Sequence, residues 1–419
     1  MASFFIPLTG LNADSTALNT IANNLANMNT VGYKAQSVNF ADLFHQQIGA
    51  TGSDDPIQVG AGTKVASIST DYSNGTDNST GVNTDVALQG NGFFVVSNGN
   101  SQYLTRSGDF STDSKGNLIT ANGLNVMGYP AVNGVVNTNA PLAPINIPEG
   151  AILSPQATSN FNMTANLNSA GTNQTFPATL DVYDSLGTMH VATVTYTQTG
   201  VNTWNYSIAM PNADFTSGTC VPVTGSMAFD ANGNLSQVNG TPVGTGVGQV
   251  SSINVAFNGL ADQSNNLNMK WNLMGPAGLP TISQVDATSA VSATNQNGFA
   301  SGQYQDFTIG SDGTVTVTYS NEQKLNVGQI AVGNVTNLQG LKMMGDGDYA
   351  TTLASGTATI GTSGSAGLGT MQDGALEGSN VNISKEFSDL IIAQRAFEAN
   401  SKSITTFDTI TQETIQMIH

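Results

Sequence analysis

Three histidines, His45, His190 and His419, and one cysteine, Cys220, are the whole stock of imidazole and thiol in this 419-residue chain. The histidines lie far apart, with no carboxylates beside them at metal-ligand spacing, and a lone cysteine builds neither a thiolate zinc site nor an intramolecular disulfide. Cys220 is expected to be a small buried apolar side chain, and His190, inside an apparent strand, a core or rim residue. There is no G-x-S-x-G elbow and no Gly-Lys phosphate loop. Gly345-Asp346-Gly347-Asp348-Tyr349-Ala350 fits G-x-G-x-x-A, but its aspartates would repel a pyrophosphate and no helical pattern follows. Asp230-Ala231-Asn232-Gly233-Asn234 opens like a calcium loop, yet Gly stands at the fourth position and no bidentate Glu closes it, so a hairpin turn is expected. Nothing singles out the carboxylate pair that glycoside hydrolysis needs. Arg106 and Arg395 are the only arginines. Their expected partners are local, Asp109 and Glu398, in preference to an intersubunit contact. The reading is therefore of a chain without catalytic, cofactor or metal residues.

Composition bounds the class. Charged residues are 9% of the chain, against about 25% in a typical soluble protein. The surface must be built from Asn, Ser, Thr, Gln and Gly, which with 46 glycines suits strands and tight turns. A formal charge of −18 excludes a nucleic-acid or anionic-membrane partner, because phosphate binding needs clustered Lys and Arg. No run reaches the ~18 apolar residues of a membrane helix. The opening MASFFIPLTGL has an apolar patch but no basic n-region and no convincing cleavage site, so it does not read as a secretory signal peptide, and any export would be without a cleaved one.

Only the two ends read as helix. Leu11, Leu18 and Leu25 recur every seven residues, with Ile21 and Met28 three further on, a seam of a and d positions. Its other faces are polar and its helix propensity is mediocre, so it needs a partner; Asn29 and Gly32 should end it. At the far end Phe387, Leu390, Phe397 and Ile404 form the matching stripe, extended by Phe407, Ile415 and Ile418. Ser384 is the expected N-cap, Glu386 sits where the helix dipole favours an acid, and Glu398 with Lys402 makes an i,i+4 pair.

Between the ends the pattern is strand. Turns are expected at Lys115-Gly116-Asn117, Asn122-Gly123, Asp184-Ser185-Leu186-Gly187 and Asp312-Gly313. Pro-rich stretches at 141–148 and 276–280 read as paired linkers around an insertion at 149–275, and 354–370 as a Gly/Ser/Thr link to the last helix. The expected fold is mainly β, with β-rich domains nested by insertion and terminal helices pairing as a coiled-coil layer. Its parts are an N-terminal helix at 1–30 paired with 381–419, extended linkers at 31–75 and 365–380, an inner β-domain at 76–145 and 281–364, and an inserted outer β-domain at 146–280.

Four stretches resemble the flagellar rod and hook axial proteins: NNLANMNTVGYKA (23–35), ALQGNGFFVV (87–96), YLTRSGDFSTDSKGNLITANGLNVMGYP (103–130) and EGSNVNISKEFSDLIIAQRAFEANSKSITTFD (377–408). The motif positions are Asn23, Asn24, Asn27, Gly32, Tyr33, Gly90, Gly92, Phe93, Arg106, Gly108, Gln394, Arg395 and Asn400. DVYDSLGTMH, within the insertion, resembles the hook branch specifically, and rod members lack so large an insertion. A departure falls at Asn321-Glu322-Gln323, where the family usually places Gly before the Gln.

The resemblance implies a structural subunit that polymerises with itself into a curved, flexible tube carrying torque from rod to filament. It implies secretion through the flagellar type III apparatus, an extracellular place in hook or basal body, and neighbours among the rod, hook–filament junction and hook cap proteins. Terminal helices disordered in the monomer would fold as they assemble. The assembly interface is expected at Leu11, Leu18, Ile21, Leu25, Met28, Phe387, Leu390, Phe397 and Ile404. Competing readings are a distal-rod protein, which forms a straight tube, a secreted β-rich adhesin, and a β-rich glycosidase. Bending is expected to come from uncharged polar surfaces sliding past one another, since few ion pairs lock one register. Adding Lys/Glu pairs across such contacts should stiffen the polymer, and an unchanged persistence length on electron micrographs would refute this.

Overall fold

Alternation of apolar and polar side chains sets much of the architecture. Along Met189–Gly200, MHVATVTYTQTG buries His190, Ala192, Val194, Tyr196 and Gln198 on one face and leaves the residues between them partly or fully exposed, the two-residue period of a half-buried strand. A computed structural model describes residues 4–50, 56–276 and 278–417. It shows a mainly β chain with helix α1 (Phe5–Ala26) at one end and helix α2 (Ile383–Gln416) at the other. Two units emerge. One comprises Met1–Glu149, Asp306–Thr318 and Lys324–His419; the other comprises Gly150–Gln305 and Tyr319–Gln323.

The second unit is a sandwich of two sheets. Thr175–Tyr183, Met189–Gly200, Thr203–Ala209, Val223–Phe229, Leu235–Val238 and Thr241–Pro242 form an antiparallel meander. The other sheet runs Ser252–Phe257, Leu267–Asn272, Asn160–Asn168, Ile282–Val285, with Ala290–Gln296 also paired to Asn160–Asn168. Residues of both sheets share one core around Trp204, Trp271, Tyr196 and Tyr206. The Tyr206 and Trp271 rings meet edge to face at 5.7 Å, and Phe161 stacks on Trp271 at 5.8 Å. Both tryptophans of the chain are thus buried in this unit. Cys220 joins the same core, as expected, with its Sγ accepting from the Met210 N–H at 3.4 Å.

In the first unit Phe93–Ser97, Gln102–Thr105, Asn125–Val132 and Lys324–Asn334 belong to one sheet, over a core that includes Phe93, Val95, Leu104, Ala331 and Tyr349. Gly345–Ala350 is a hairpin turn between Lys342–Gly345 and Asp348–Ala350, with no helix to receive a phosphate.

Three reversals repeat one device. In Asp113-Ser-Lys-Gly-Asn117, Asp184-Ser-Leu-Gly-Thr188 and Asp230-Ala-Asn-Gly-Asn234, one Asp oxygen accepts the backbone N–H two and four residues on, all at 2.8–2.9 Å. Each Asp closes its own turn through these bonds.

The expected linkers are folded structure. Within 141–148, Ile145 and Ile147 are fully buried, and their backbones bond to Val126 and Gly116. Residues 276–280 turn back inside the second unit, Gly275 N–H bonding to the Leu279 carbonyl; Ala277 lies outside the described residues. Of 354–370, Thr359–Thr362 pairs with Ala331–Asn334, and the Ser363 hydroxyl donates within the fold to the Ser311 and Gly369 carbonyls. Small polar residues there satisfy backbone groups that water would otherwise serve. The boundary expected at 280 falls short as well, because Ile282–Val285 and Ala290–Gln296 complete the sheet of the second unit.

Glu322, where the family usually has Gly before the Gln, adopts a left-handed backbone with φ +62°. That conformation disfavours any side chain by about 1–2 kcal/mol. Glu322→Gly should therefore stabilise the second unit by about 1 kcal/mol, read from urea unfolding followed by tryptophan fluorescence; a destabilised variant would show that the Glu side chain compensates.

Candidate functional site

The stretch NNLANMNTVGYKA has to turn a helix into an extended chain. Asn24 performs the conversion. Fully buried, it donates from Nδ2 to the Gln36 carbonyl at 2.7 Å and accepts at Oδ1 from the Gln36 N–H at 2.9 Å, so that its amide acts as a strand neighbour. The Tyr33 hydroxyl donates to the same Oδ1 at 3.2 Å and accepts from Asn23 Nδ2 at 3.0 Å. Asn27, the C-cap of α1, donates from its side chain to the Asn23 carbonyl at 2.9 Å. The helix stops at Ala26, just before the expected stop, and Gly32 follows with φ +66°. A Cβ on Gly32 would lie 2.7 Å from the Arg106 carbonyl carbon, so no other residue fits there without displacing backbone.

Behind this turn lies a buried ion cluster. Glu377 Oε1 takes Lys34 Nζ at 2.7 Å and the Gly75 N–H at 2.8 Å; its Oε2 takes Arg106 Nη1 at 3.0 Å. The three side chains are 0–3% exposed. Arg106 also donates to the Leu88 carbonyl at 2.6 Å and to the Gly90 carbonyl, and its guanidinium lies 5.6 Å from the centre of the Phe93 ring. Lys34 reaches the Ser73 carbonyl at 2.8 Å, and Glu377 returns a main-chain bond, its carbonyl accepting from the Gly32 N–H at 2.8 Å. Burial lowers both basic pKa values, opposed chiefly by Glu377; for Lys34 the nearby Arg106 lowers it further. Asn380 completes the junction: its Oδ1 accepts from the Ala35 N–H at 2.8 Å and its Nδ2 donates to the Asp71 carbonyl at 2.9 Å.

Several local expectations give way here. The partner of Arg106 is Glu377, 271 residues away, and not Asp109. Among the described residues the ion pairs do not include Arg395 with Glu398 or Glu398 with Lys402; α2 instead carries Lys385–Asp389 at 2.8 Å. The N-cap of α2 is Asn382, which has extended backbone and accepts from the Lys385 N–H at 3.1 Å, whereas Ser384 is already inside the helix. Glu386 does occupy the first turn. His190 has two carboxylates beside it, Asp184 at 3.4 Å and Asp214 at 2.9 Å, which the fold supplies and sequence spacing hides.

The helices pack along one another through small and polar residues. Gly10, Ala13 and Ala393 are buried, and Asn400 Nδ2 donates to Asp14 at 2.8 Å. A Cβ on Gly10 would sit 2.6 Å from the Asn400 amide, which shows how closely the two backbones approach. Phe4 and Phe407 meet edge to face at 6.0 Å. The expected seam is less covered: Leu11, Leu18, Ile21, Leu25, Leu390, Phe397 and Ile404 are half-buried, and Met28, past the end of α1, is exposed, as are Phe387, Ile415, Gln394 and Arg395. Ile418 and His419 lie outside the described residues. Of the motif positions, Gly108 packs so tightly that a Cβ would fall 1.7 Å from the Val86 carbonyl oxygen, while Gly92 and Phe93 open the strand that carries the Arg106 contact.

A nested β chain whose two ends are bound by one buried carboxylate and one helix pair has the build of an axial subunit, and comparison with known proteins agrees. Residues 8–34 match the family described as flagella basal body rod protein, 87–166 the flagellar hook protein FlgE/F/G D1 domain, 154–299 the flagellar basal body protein FlaE D2 domain, and 372–417 the flagellar basal body rod FlgEFG protein C-terminal. The flagellar hook protein FlgE of Salmonella typhimurium is 35% identical, over 97% of this chain and 98% of its own. That of Borreliella burgdorferi is 32% identical, over 100% and 99%. The crystal structure of Helicobacter pylori flagellar hook protein FlgE2 matches with a TM-score of 0.57 over 72% of this chain and 100% of that one, at 15% identity, a likeness of fold. The chain belongs to the flagellar hook protein family and is a structural subunit of the hook. Among the described residues no helix is long and apolar enough to cross a membrane.

Lys34, Glu377 and Asn380 were not singled out from sequence. In a chain with 10 basic and 28 acidic residues, a lone Glu inside the uncharged run ALEGSNVN was the available signal. Replacing Glu377 by Gln strands two buried cations, a loss of about 3–5 kcal/mol. Urea unfolding followed by far-UV circular dichroism should register that loss, while the tryptophan transition of the second unit stays in place. Lys34→Met should be milder, because Arg106 keeps its partner. A Glu377→Gln protein as stable as the parent would remove the cluster from its role.

Proposed function

We propose that the subunit polymerises through the face of the α1–α2 pair that stays open in a single chain. One observation carries this reading. Gly10, Ala13, Asp14, Ala393 and Asn400 contribute to the intrachain seam beside the Phe4–Phe407 ring pair, whereas large apolar side chains on both helices remain about half exposed or more: Phe5 58%, Leu8 48%, Phe387 52%, Ile391 52%, Ile392 65% and Ile415 55%. Side chains of that size, each about 1.5–3 kcal/mol when buried, favour coverage by further copies of the same helix pair. A head-to-tail contact that does not close on itself gives a helical tube. The half-covered leucines and isoleucines of the expected interface belong to the same layer in this reading.

Family membership supports the finer partners in this reading. The rod below, the junction and cap proteins above, and the type III apparatus that delivers the chain to an extracellular assembly site complete the proposal. Marginal helices that gain their burial from neighbours would couple folding of the chain ends to assembly.

Electron microscopy of the concentrated full-length protein tests the interface. The parent should form curved tubes, and Ile392→Glu and Phe387→Ser should abolish them while leaving the urea unfolding of the monomer within about 0.5 kcal/mol of the parent, as expected for exposed positions. Tubes from both variants would sink the proposal.

A further inference from the structure

Four side chains that the hook architecture does not use converge at one edge of the second unit. Asp184 closes the turn before Met189–Gly200, His190 is the second residue of that strand, Asp214 ends the short helix Asn212–Asp214, and Asp262 follows Leu260 in the next loop. The loops are tied to one another: Ala261 N–H bonds to the Asp214 carbonyl at 2.9 Å, Thr216 N–H to the Gly259 carbonyl at 2.9 Å, and Asn265 N–H to the Ser185 hydroxyl at 3.0 Å. The side chains are therefore held before any ligand arrives.

Their orientation is specific. Asp184 is fully buried, and its Oδ1 is committed to the Leu186 and Thr188 N–H groups, which leaves Oδ2 facing inward. Asp214 accepts from His190 Nδ1 at 2.9 Å, which in the neutral imidazole makes Nε2 an acceptor. That nitrogen lies 3.4 Å from Asp184 Oδ2, and ligand atoms of Asp184, His190 and Asp262 all fall within 4.8 Å of one another. The three ligand atoms thus lie close enough together to share one ion. The 3.4 Å separation is long for a charged hydrogen bond, yet two ligands on a tetrahedral ion with bonds of about 2.1 Å stand about 3.4 Å apart. A carboxylate that orients the far nitrogen of a ligating histidine is the usual outer partner of such a site.

We propose that Asp184, His190 and Asp262 form a binding site for a divalent transition-metal ion, zinc being the best match, with Asp214 as the positioning residue that fixes the imidazole. One nitrogen and two carboxylate oxygens leave a fourth position for water. The ion would clamp the 184–188 turn to the 258–262 loop and so stiffen one end of the sandwich.

The test uses full-length protein stripped with a chelator, in a background carrying His45→Ala and His419→Ala so that His190 is the sole imidazole. Titration with zinc chloride, followed by calorimetry, should give one saturable site and a higher midpoint of tryptophan-monitored thermal unfolding. Asp262→Asn should weaken binding at least tenfold, and Asp214→Asn by about 10–100-fold, with the metal-free midpoint of each close to that of the background. Calcium and magnesium should compete poorly. Absence of saturable zinc binding overturns the proposal, as does an affinity in both variants equal to that of the background. So does a midpoint that responds to pH across the histidine range but not to zinc, which would show that the cluster shares protons instead of an ion.

Discussion

A carboxylate shared by two buried cations constrains everything around it. Glu377 can satisfy Lys34 and Arg106 only if its two oxygens point in different directions, and the Gly75 N–H and the main-chain bond to Gly32 fix which way each points. With burial lowering both basic pKa values, the arrangement holds its charges by geometry more than by solvation. Four stretches of chain, around residues 34, 75, 106 and 377, are pinned to one another within a few ångströms. The turn out of α1, the strand pairing of Ala375–Glu377 with Asp77–Ser79 and the approach of the chain to α2 all follow from that pin.

The helix pair divides labour differently from a coiled coil. Heptad leucines ordinarily supply the seam; here Gly10, Ala13, Ala393 and the Asn400–Asp14 bond share it with half-buried heptad residues and the Phe4–Phe407 ring pair, and small residues let the helices approach closely. The apolar surface that heptads would have consumed within one chain stays available. A layer built this way leaves apolar surface on both helices open to solvent in the single chain.

What was legible in the sequence was local. The Asp-x-x-Gly reversals at 113, 184 and 230 could be read because the Asp-to-backbone bonds that close them lie within five residues, and the helical ends could be read from period alone. Long-range pairing was not legible. Nothing near Arg106 announces Glu377, and nothing near His190 announces Asp214 or Asp262, because those neighbours are products of sheet topology. Composition misled in a definable way. Gly, Ser, Thr and Pro at 141–148 and 354–370 look like linker, but whether a serine hydroxyl meets water or a carbonyl such as that of Ser311 is decided only by what folds beside it. The seam was half legible: apart from Met28, which lies past the end of α1, the heptad residues lie on the helices as expected, but the single chain covers them only partly.

The placement of Glu377 also makes the fold a reader of chain length. Its acidic group is encoded at position 377, while the cations that need it are encoded at positions 34 and 106. A polypeptide cut short anywhere before that point carries two positive groups committed to a dry site with nothing to answer them, and it lacks α2 as well. Incomplete chains therefore lose the closure of their first unit and the helix layer together.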